Sequence, residues 1–181
     1  MRISRPDLDA APDIVGVAVV EPAEAMILVS LADQLQALLA DSLESPVDTD
    51  SAVLRLLPDA YRSDPELADE WRRLSRRGLV DRKIGFAHAM SSALSPGLDA
   101  ETARTVTLTT DAALDWVRGL GDLRLVIADR MGIVVDGDEG TFAEPGLRDV
   151  YDLLAWMQDA LVQVLDEAEQ APPASSQPEA P

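Results

Sequence analysis

Apolar residues that return every three or four positions decide what this chain can become. In the stretch from Pro22 to Glu44, Ile27, Leu28, Leu31, Leu35, Leu38, Leu39 and Ser42 fall on one helical stripe, with Asp33, Gln36, Asp41 and Glu44 away from it. From Asp111 to Met131, Trp116, Val117, Leu120, Leu123, Ile127 and Met131 form a second stripe, opposite Asp115, Arg118, Asp122 and Asp129. From Leu147 to Glu169, Val150, Leu153, Leu154, Met157, Leu161, Val164 and Leu165 form a third. Each helix carries its own punctuation. Pro22 sits in a first turn, where its missing N–H is no loss, and Gly132 suits a C-terminal stop. A shorter helix is predicted after a Thr49 or Asp50 cap and before Pro58, and another starts with Asp64 as cap and Pro65 as first residue.

Two β-branched runs interrupt the helices, "IVGVAVV" at 14–20 and "TVTLT" at 105–109. Each is followed by a turn and an amphipathic helix, and Val17, Ala23, Leu31 and Asp33 match Val106, Ala112, Leu120 and Asp122 at one offset. Any two strand–helix units share such a pattern; a true repeat would let the two strands pair about a pseudo-twofold axis. The expected fold is mainly α, an irregular helical bundle with a small two- or three-stranded β element from 14–20, 105–109 and a further segment at 2–5. Residues 1–13 read as a poorly defined N-terminal segment, 14–170 as a single helical domain, and the Pro-, Ala- and Ser-rich 171–181 as a disordered tail.

The helix starting at Pro65 raises a conflict. Leu67, Trp71 and Leu74 share one face, whereas Val80, Ile84 and Ala87 lie roughly 150° round a straight axis. One neighbour cannot bury both sets, so a break or sharp kink between Ser75 and Leu79 is predicted.

Composition narrows the chemistry. With 47% hydrophobic residues but only seven aromatics among 181, the core must be aliphatic. There is no cysteine and a single histidine, His88, which removes disulfides, thiolate ligands and Cys nucleophiles and leaves little for a His zinc site or a catalytic triad. A net charge of −18 argues against binding a phosphate backbone over the whole surface. The polar N-terminus and the shortness of the apolar runs lead to the expectation of a cytoplasmic chain with no membrane segment.

Three blocks, "LRLLPDAYRSDPELADEWRRL", "VTLTTDAALDWVRGLGDLRLVIADRMGI" and "YDLLAWMQDALV", resemble in order an actinobacterial family of uncharacterised proteins grouped as a domain of unknown function. The resemblance covers roughly residues 14–165. It implies a small, largely helical cytoplasmic protein of a family often encoded beside the Clp-protease adaptor, and it brings no catalytic residue or cofactor with it.

Several residues are out of place for simple packing. Six of the fifteen basic residues lie between Arg72 and Lys83. Arg72, Arg73, Arg76, Arg77 and Lys83 are read as a solvated helix side, with acids at ion-pair spacing. If Ser75 caps a new helix, Arg76 and Arg77 would meet something anionic. Arg124 falls inside a buried stripe, where a guanidinium needs a partner; Glu24 is the candidate for a structural ion pair, the alternative being an anion held at a pocket or subunit interface. Trp156 lies on the polar side of the last helix with Asp152, Asp159 and Gln163, either as an interface anchor or under a returning loop. "DGDEG" at 136–140 lacks the glycine and glutamate of a calcium loop, and "GLG" at 119–121 reads as two glycines for close helix packing. His88 is expected at the surface.

These features point to a non-enzymatic cytoplasmic protein-interaction or regulatory module linked to proteolysis, with a protein partner such as a Clp-system component, a homodimer as a further expectation, and no cofactor. The rivals are a DNA-associated regulator that uses the Arg72–Lys83 segment as its contact helix, and a small enzyme with a pocket near Arg124.

Overall fold

The computed structural model describes residues 1–7, 9–11, 13–44, 50–58, 65–96, 98, 101–135, 138, 140 and 146–171, with the side chains of 65 and 67–73 excepted. The proposed Asp64 cap, most of the 136–140 acidic segment and the tail from 172 onward lie outside these residues. The fold is mainly α with one small sheet. In chain order the elements are β1 (Arg2–Ser4), β2 (Ile14–Val20), α1 (Pro22–Glu44), α2 (Ser51–Leu56), α3 (Pro65–Leu94), β3 (Arg104–Thr109), α4 (Thr110–Arg130) and α5 (Leu147–Gln170).

The strands form an antiparallel sheet of order β1-β2-β3. Alternation decides which side is covered. Gly16, Ala18, Val20 and Leu108 point into the core, while Thr105 and Thr107 are exposed on the other side. The β2–β3 ladder has Val17 opposite Thr107 and Ala18 opposite Val106. Its middle therefore falls where the matched positions of the two strand–helix units meet. The likeness stops there: α1 packs mainly on α3, whereas α4 is held by α2, α3 and α5.

Local chemistry accounts for the helix ends. The Thr109 hydroxyl accepts from the Ala112 N–H, so β3 passes straight into α4. Asp50 caps α2 through the Ala52 N–H at 2.9 Å. At the end of α4, Gly132 takes a φ of 70°, and Ile133 N–H reaches back to the Ala128 carbonyl at 2.9 Å. Glu24 accepts from the Glu21 N–H at the start of α1. Arg104 ties β3 to the end of α3 by donating to the carbonyls of Ala93 and Pro96.

The predicted break in α3 does not occur: the helix is continuous from Pro65 to Leu94. Val80, Ala87, Met90 and Leu94 are buried, but Leu74 is 75% exposed. Leu74 of the first apolar set stays outside the core, so the two sets need not both face it, which takes away the reason for a break. Without a new helix start at Ser75, Arg76 and Arg77 do not sit at a positive helix end.

In α1 the buried residues are Ala25, Leu28, Val29, Ala32, Leu35, Leu39 and Ser42. Ile27, read from the sequence as part of that stripe, is 40% exposed. The small residues Ala25 and Ala32 turn the contact line towards α3 and rotate Ile27 out. By length and a mean hydropathy of 1.3 alone, α1 is long and apolar enough to cross a membrane, a test that the core helix of a soluble protein passes as well; a third of that window is buried.

A polar clip holds α2 on α4. Ser51 donates to Asp129 at 2.5 Å, Arg55 donates to the Ile133 carbonyl at 2.6 Å, and Arg130 grips Asp50 through both terminal nitrogens. Asp129 thus lies opposite the α4 stripe, as the periodicity indicates, yet α2 covers it. The Arg130 hydrogen bond holds the Asp50 carboxyl below its ordinary value. A lowered carboxylate contributes stability that is present above the unfolded value of 3.8 and lost as pH falls through the folded one. Asp50→Asn keeps a capping oxygen but loses the charge. It is expected to lower the urea midpoint at neutral pH by a small amount, and the difference from wild type should close in acid.

Candidate interaction surfaces and the polar contacts of α4

α4 packs against α2, α3 and α5, which leave the line of Asp111, Arg118 and Leu125 exposed. Two glycines set the spacing. Gly119 is buried, and a Cβ there would stand 3.2 Å from the Phe86 carbonyl oxygen of α3. At Gly121 a Cβ would meet Gln158 Nε2 of α5 at 3.1 Å. The close-packing role read from "GLG" is what the helices show.

The basic segment of α3 divides. The side chains of Arg72 and Arg73 lie outside the described residues. Arg76 is half-buried and donates to the Ser42 carbonyl at 3.2 Å, tying α3 to α1. Arg77 and Arg82 are exposed. Lys83 turns inward, its ammonium 2.5 Å from Asp122 Oδ1 of α4. Asp122 was expected on the solvent side of its helix; its side chain is only 9% exposed because α3 covers that side. Burial pushes its carboxyl above the ordinary value, against the hydrogen bond and charge of Lys83, which pull it down. The second oxygen, Oδ2, has no hydrogen-bond partner.

Arg124 and Glu24 do not pair. The Glu24 carboxylate takes the Met1 amino group at 2.5 Å, while Arg124 faces α5. Arg124 Nη1 donates to Gln158 Oε1 at 2.7 Å, and the guanidinium lies 5.0 Å from the centre of the Tyr151 ring. Gln158 in turn donates to the Val117 carbonyl at 3.1 Å. A neutral amide and an aromatic face thus replace the expected carboxylate, and Arg124 Nε stays buried without an acceptor. The sequence reading missed Tyr151 and Gln158. Their spacing of seven puts them on one side of α5, and laying α5 antiparallel along α4 would have brought both to Arg124.

Trp156 is 45% exposed on α5. Asp149, Asp152, Asp159, Gln163 and Glu167 are exposed on the same helix, so the indole stands in a mostly acidic strip. His88 is exposed, as expected.

On another side of α5 its C-terminal half and the start of α4 frame a cleft of about 760 Å³. Ile14, Val15, Leu114, Val117, Val162 and Leu165 supply its apolar walls, and Arg5, Asp166 and Glu169 stand at its polar border. The sequence placed Val117 and Leu165 on core stripes and Ile14 and Val15 in a strand, and marked none of these residues as a binding surface; the signal was a helix whose apolar residues, Val162 among them, exceed one stripe.

Compared with known families, residues 5–165 match the one described as Domain of unknown function (DUF2017). The chain belongs to DUF2017. No curated protein and no solved structure gives a match. The DUF2017 match spans every element from β2 to α4 and most of α5, hence both sides of the Lys83–Asp122 and Arg124–Gln158 contacts. Most of the cleft lining also falls within the DUF2017 region; Asp166, Ala168, Glu169 and Ala171 follow directly after it.

Proposed function

We propose that this DUF2017 protein is a non-enzymatic, cytoplasmic protein-interaction or regulatory module. The observation that carries this reading is Trp156, a large aromatic left 45% exposed in a strip of acidic side chains. A half-exposed indole gains most by entering a partner's pocket, and acids around it select partners of opposite charge. Arg76 and Lys83 are engaged within the chain, which takes two cations out of the surface that a DNA-contacting helix would need. Neither Arg124 nor its partners border the described cleft.

The proposal extends to a component of the Clp proteolytic system, or a second copy of this chain, as the partner. Affinity capture from native cytoplasm, assayed for Clp components first, combined with sedimentation of the purified protein, tests it. Trp156→Ala is expected to weaken capture or self-association while leaving the circular dichroism spectrum unchanged. A monomeric wild type whose captured proteins are all retained by Trp156→Ala would overturn the reading.

A further inference from the structure

The cleft between α4 and α5 makes its own demand on a ligand. Its walls are aliphatic, and Val162 remains 41% exposed although it lies on a helix with a well-packed opposite side. Its volume falls within the range of ligand sites, but the cleft is a partly open groove walled by α4, α5 and the start of β2, a shape that suits a protein segment.

Charge defines that segment. Asp166 and Glu169 border the cleft at the C-terminal end of α5, and Glu167 lies between them in sequence. The last turn of α5 holds no basic residue. Carboxylates at a helix C-terminus add to the negative end of the dipole rather than offsetting it. Asp111, exposed in the first turn of α4 beside Thr110, adds a further acid nearby. Among the described residues the one cation at the border is Arg5, which already stands 3.7 Å from Glu167. The cleft therefore joins an apolar floor to a negative potential that the chain itself leaves largely unbalanced, within a molecule of net charge −18.

We propose that this cleft is a docking site for a basic amphipathic helix of a partner protein, its aliphatic side chains on Val15, Leu114, Val162 and Leu165 and its lysines or arginines facing Asp166 and Glu169. The site lies on a different side of α5 from Trp156 and stands or falls separately from it.

A fluorescently labelled Leu/Lys amphipathic peptide of about 14 residues is the probe, with a Leu/Glu peptide of the same pattern as control. Binding to the full chain is read by anisotropy, and its position by amide shifts in NMR spectra. The Leu/Lys peptide is expected to bind, with shifts gathered on Val15, Leu114, Val162 and Leu165, and the Leu/Glu peptide not to bind. Val162→Glu, at a position exposed enough to be tolerated, should weaken binding by at least about ten-fold, the equivalent of one buried aliphatic anchor. Asp166→Lys with Glu169→Lys should weaken it by a similar factor and reduce its salt dependence. Trp156→Ala should leave it unchanged, so failure at either surface can be told from failure at the other. Equal binding of both peptides, binding that survives Val162→Glu, or no binding of the Leu/Lys peptide would overturn the proposal. So would a self-association removed by Val162→Glu without peptide binding, which would assign the cleft to a second copy of the chain.

Discussion

Replacing Lys83 by methionine is expected to destabilise the protein by about 3–5 kcal/mol, the usual result of stranding one member of a buried ion pair. Methionine preserves most of the side chain's length and apolar body, so packing changes little. What changes is Asp122, whose carboxylate has one oxygen on the Lys83 ammonium at 2.5 Å and the other without a partner. The double variant Lys83→Met/Asp122→Leu separates a lost contact from a stranded charge. With both charges gone, stability should return to near the wild-type value or exceed it. Urea denaturation of wild type, Lys83→Met, Asp122→Leu and the double variant measures each term and their coupling.

The pH dependence of the deficit tests whether its source is the stranded Asp122 charge. Burial already raises the Asp122 carboxyl, and removing Lys83 takes away the effects that oppose burial. A carboxyl raised on folding favours the native state fully below the unfolded value of 3.8, and that advantage is lost as pH rises through the folded value. The deficit of Lys83→Met should therefore shrink as pH falls from neutral towards the unfolded value of 3.8, as the stranded group takes up a proton. A deficit that stayed constant over that range would mean the lost stability has another source than the Asp122 charge. The Asp50→Asn deficit also closes in acid, there because wild type loses what its lowered carboxylate contributes, so the control for Lys83→Met is the double variant, whose difference from wild type should lack this acid recovery.

What the sequence revealed follows from how far each signal reaches along the chain. Pro22, Asp50, Gly132 and the β-branched runs act within a few residues of themselves, and the elements begin and end where those signals place them. Directions set by one helix alone also survive: Trp156 and His88 are exposed, and Leu154, Met157 and Leu161 are buried. The failures come where a second helix decides. Asp122 is on the outer side of α4 if α4 has one neighbour, and inside once α3 crosses it. Arg124 finds Gln158 and Tyr151 only when α5 is laid antiparallel against it. The expected break in α3 assumed that both apolar sets are buried throughout, and Leu74 is not. The apolar cleft was hidden for the same reason, since its walls come from β2, α4 and α5 together.

The second large effect is expected at Gly119. Introducing valine there should destabilise the protein by about 3 kcal/mol, because overpacked cores lose stability when the neighbour cannot yield. The obstacle is backbone: the first added carbon would stand 3.2 Å from the Phe86 carbonyl oxygen and 3.3 Å from its carbon. Those atoms belong to the continuous α3, which can retreat only as a body. The other helical glycines provide the scale. Gly78 and Gly85 have open space where a Cβ would go, so alanine at either should stabilise by up to about 1 kcal/mol through helix propensity alone. At Gly121 the atom met is the terminal nitrogen of Gln158, the end of a flexible side chain, and alanine should be near neutral. Thermal and urea unfolding of the four variants should therefore order them by what each Cβ meets, from open space to side-chain tip to backbone. A Gly119→Val protein as stable as wild type would show that α3 and α4 can move apart at no cost. The Lys83–Asp122 pair, a few residues further along the same two helices, would then not be held by their close approach.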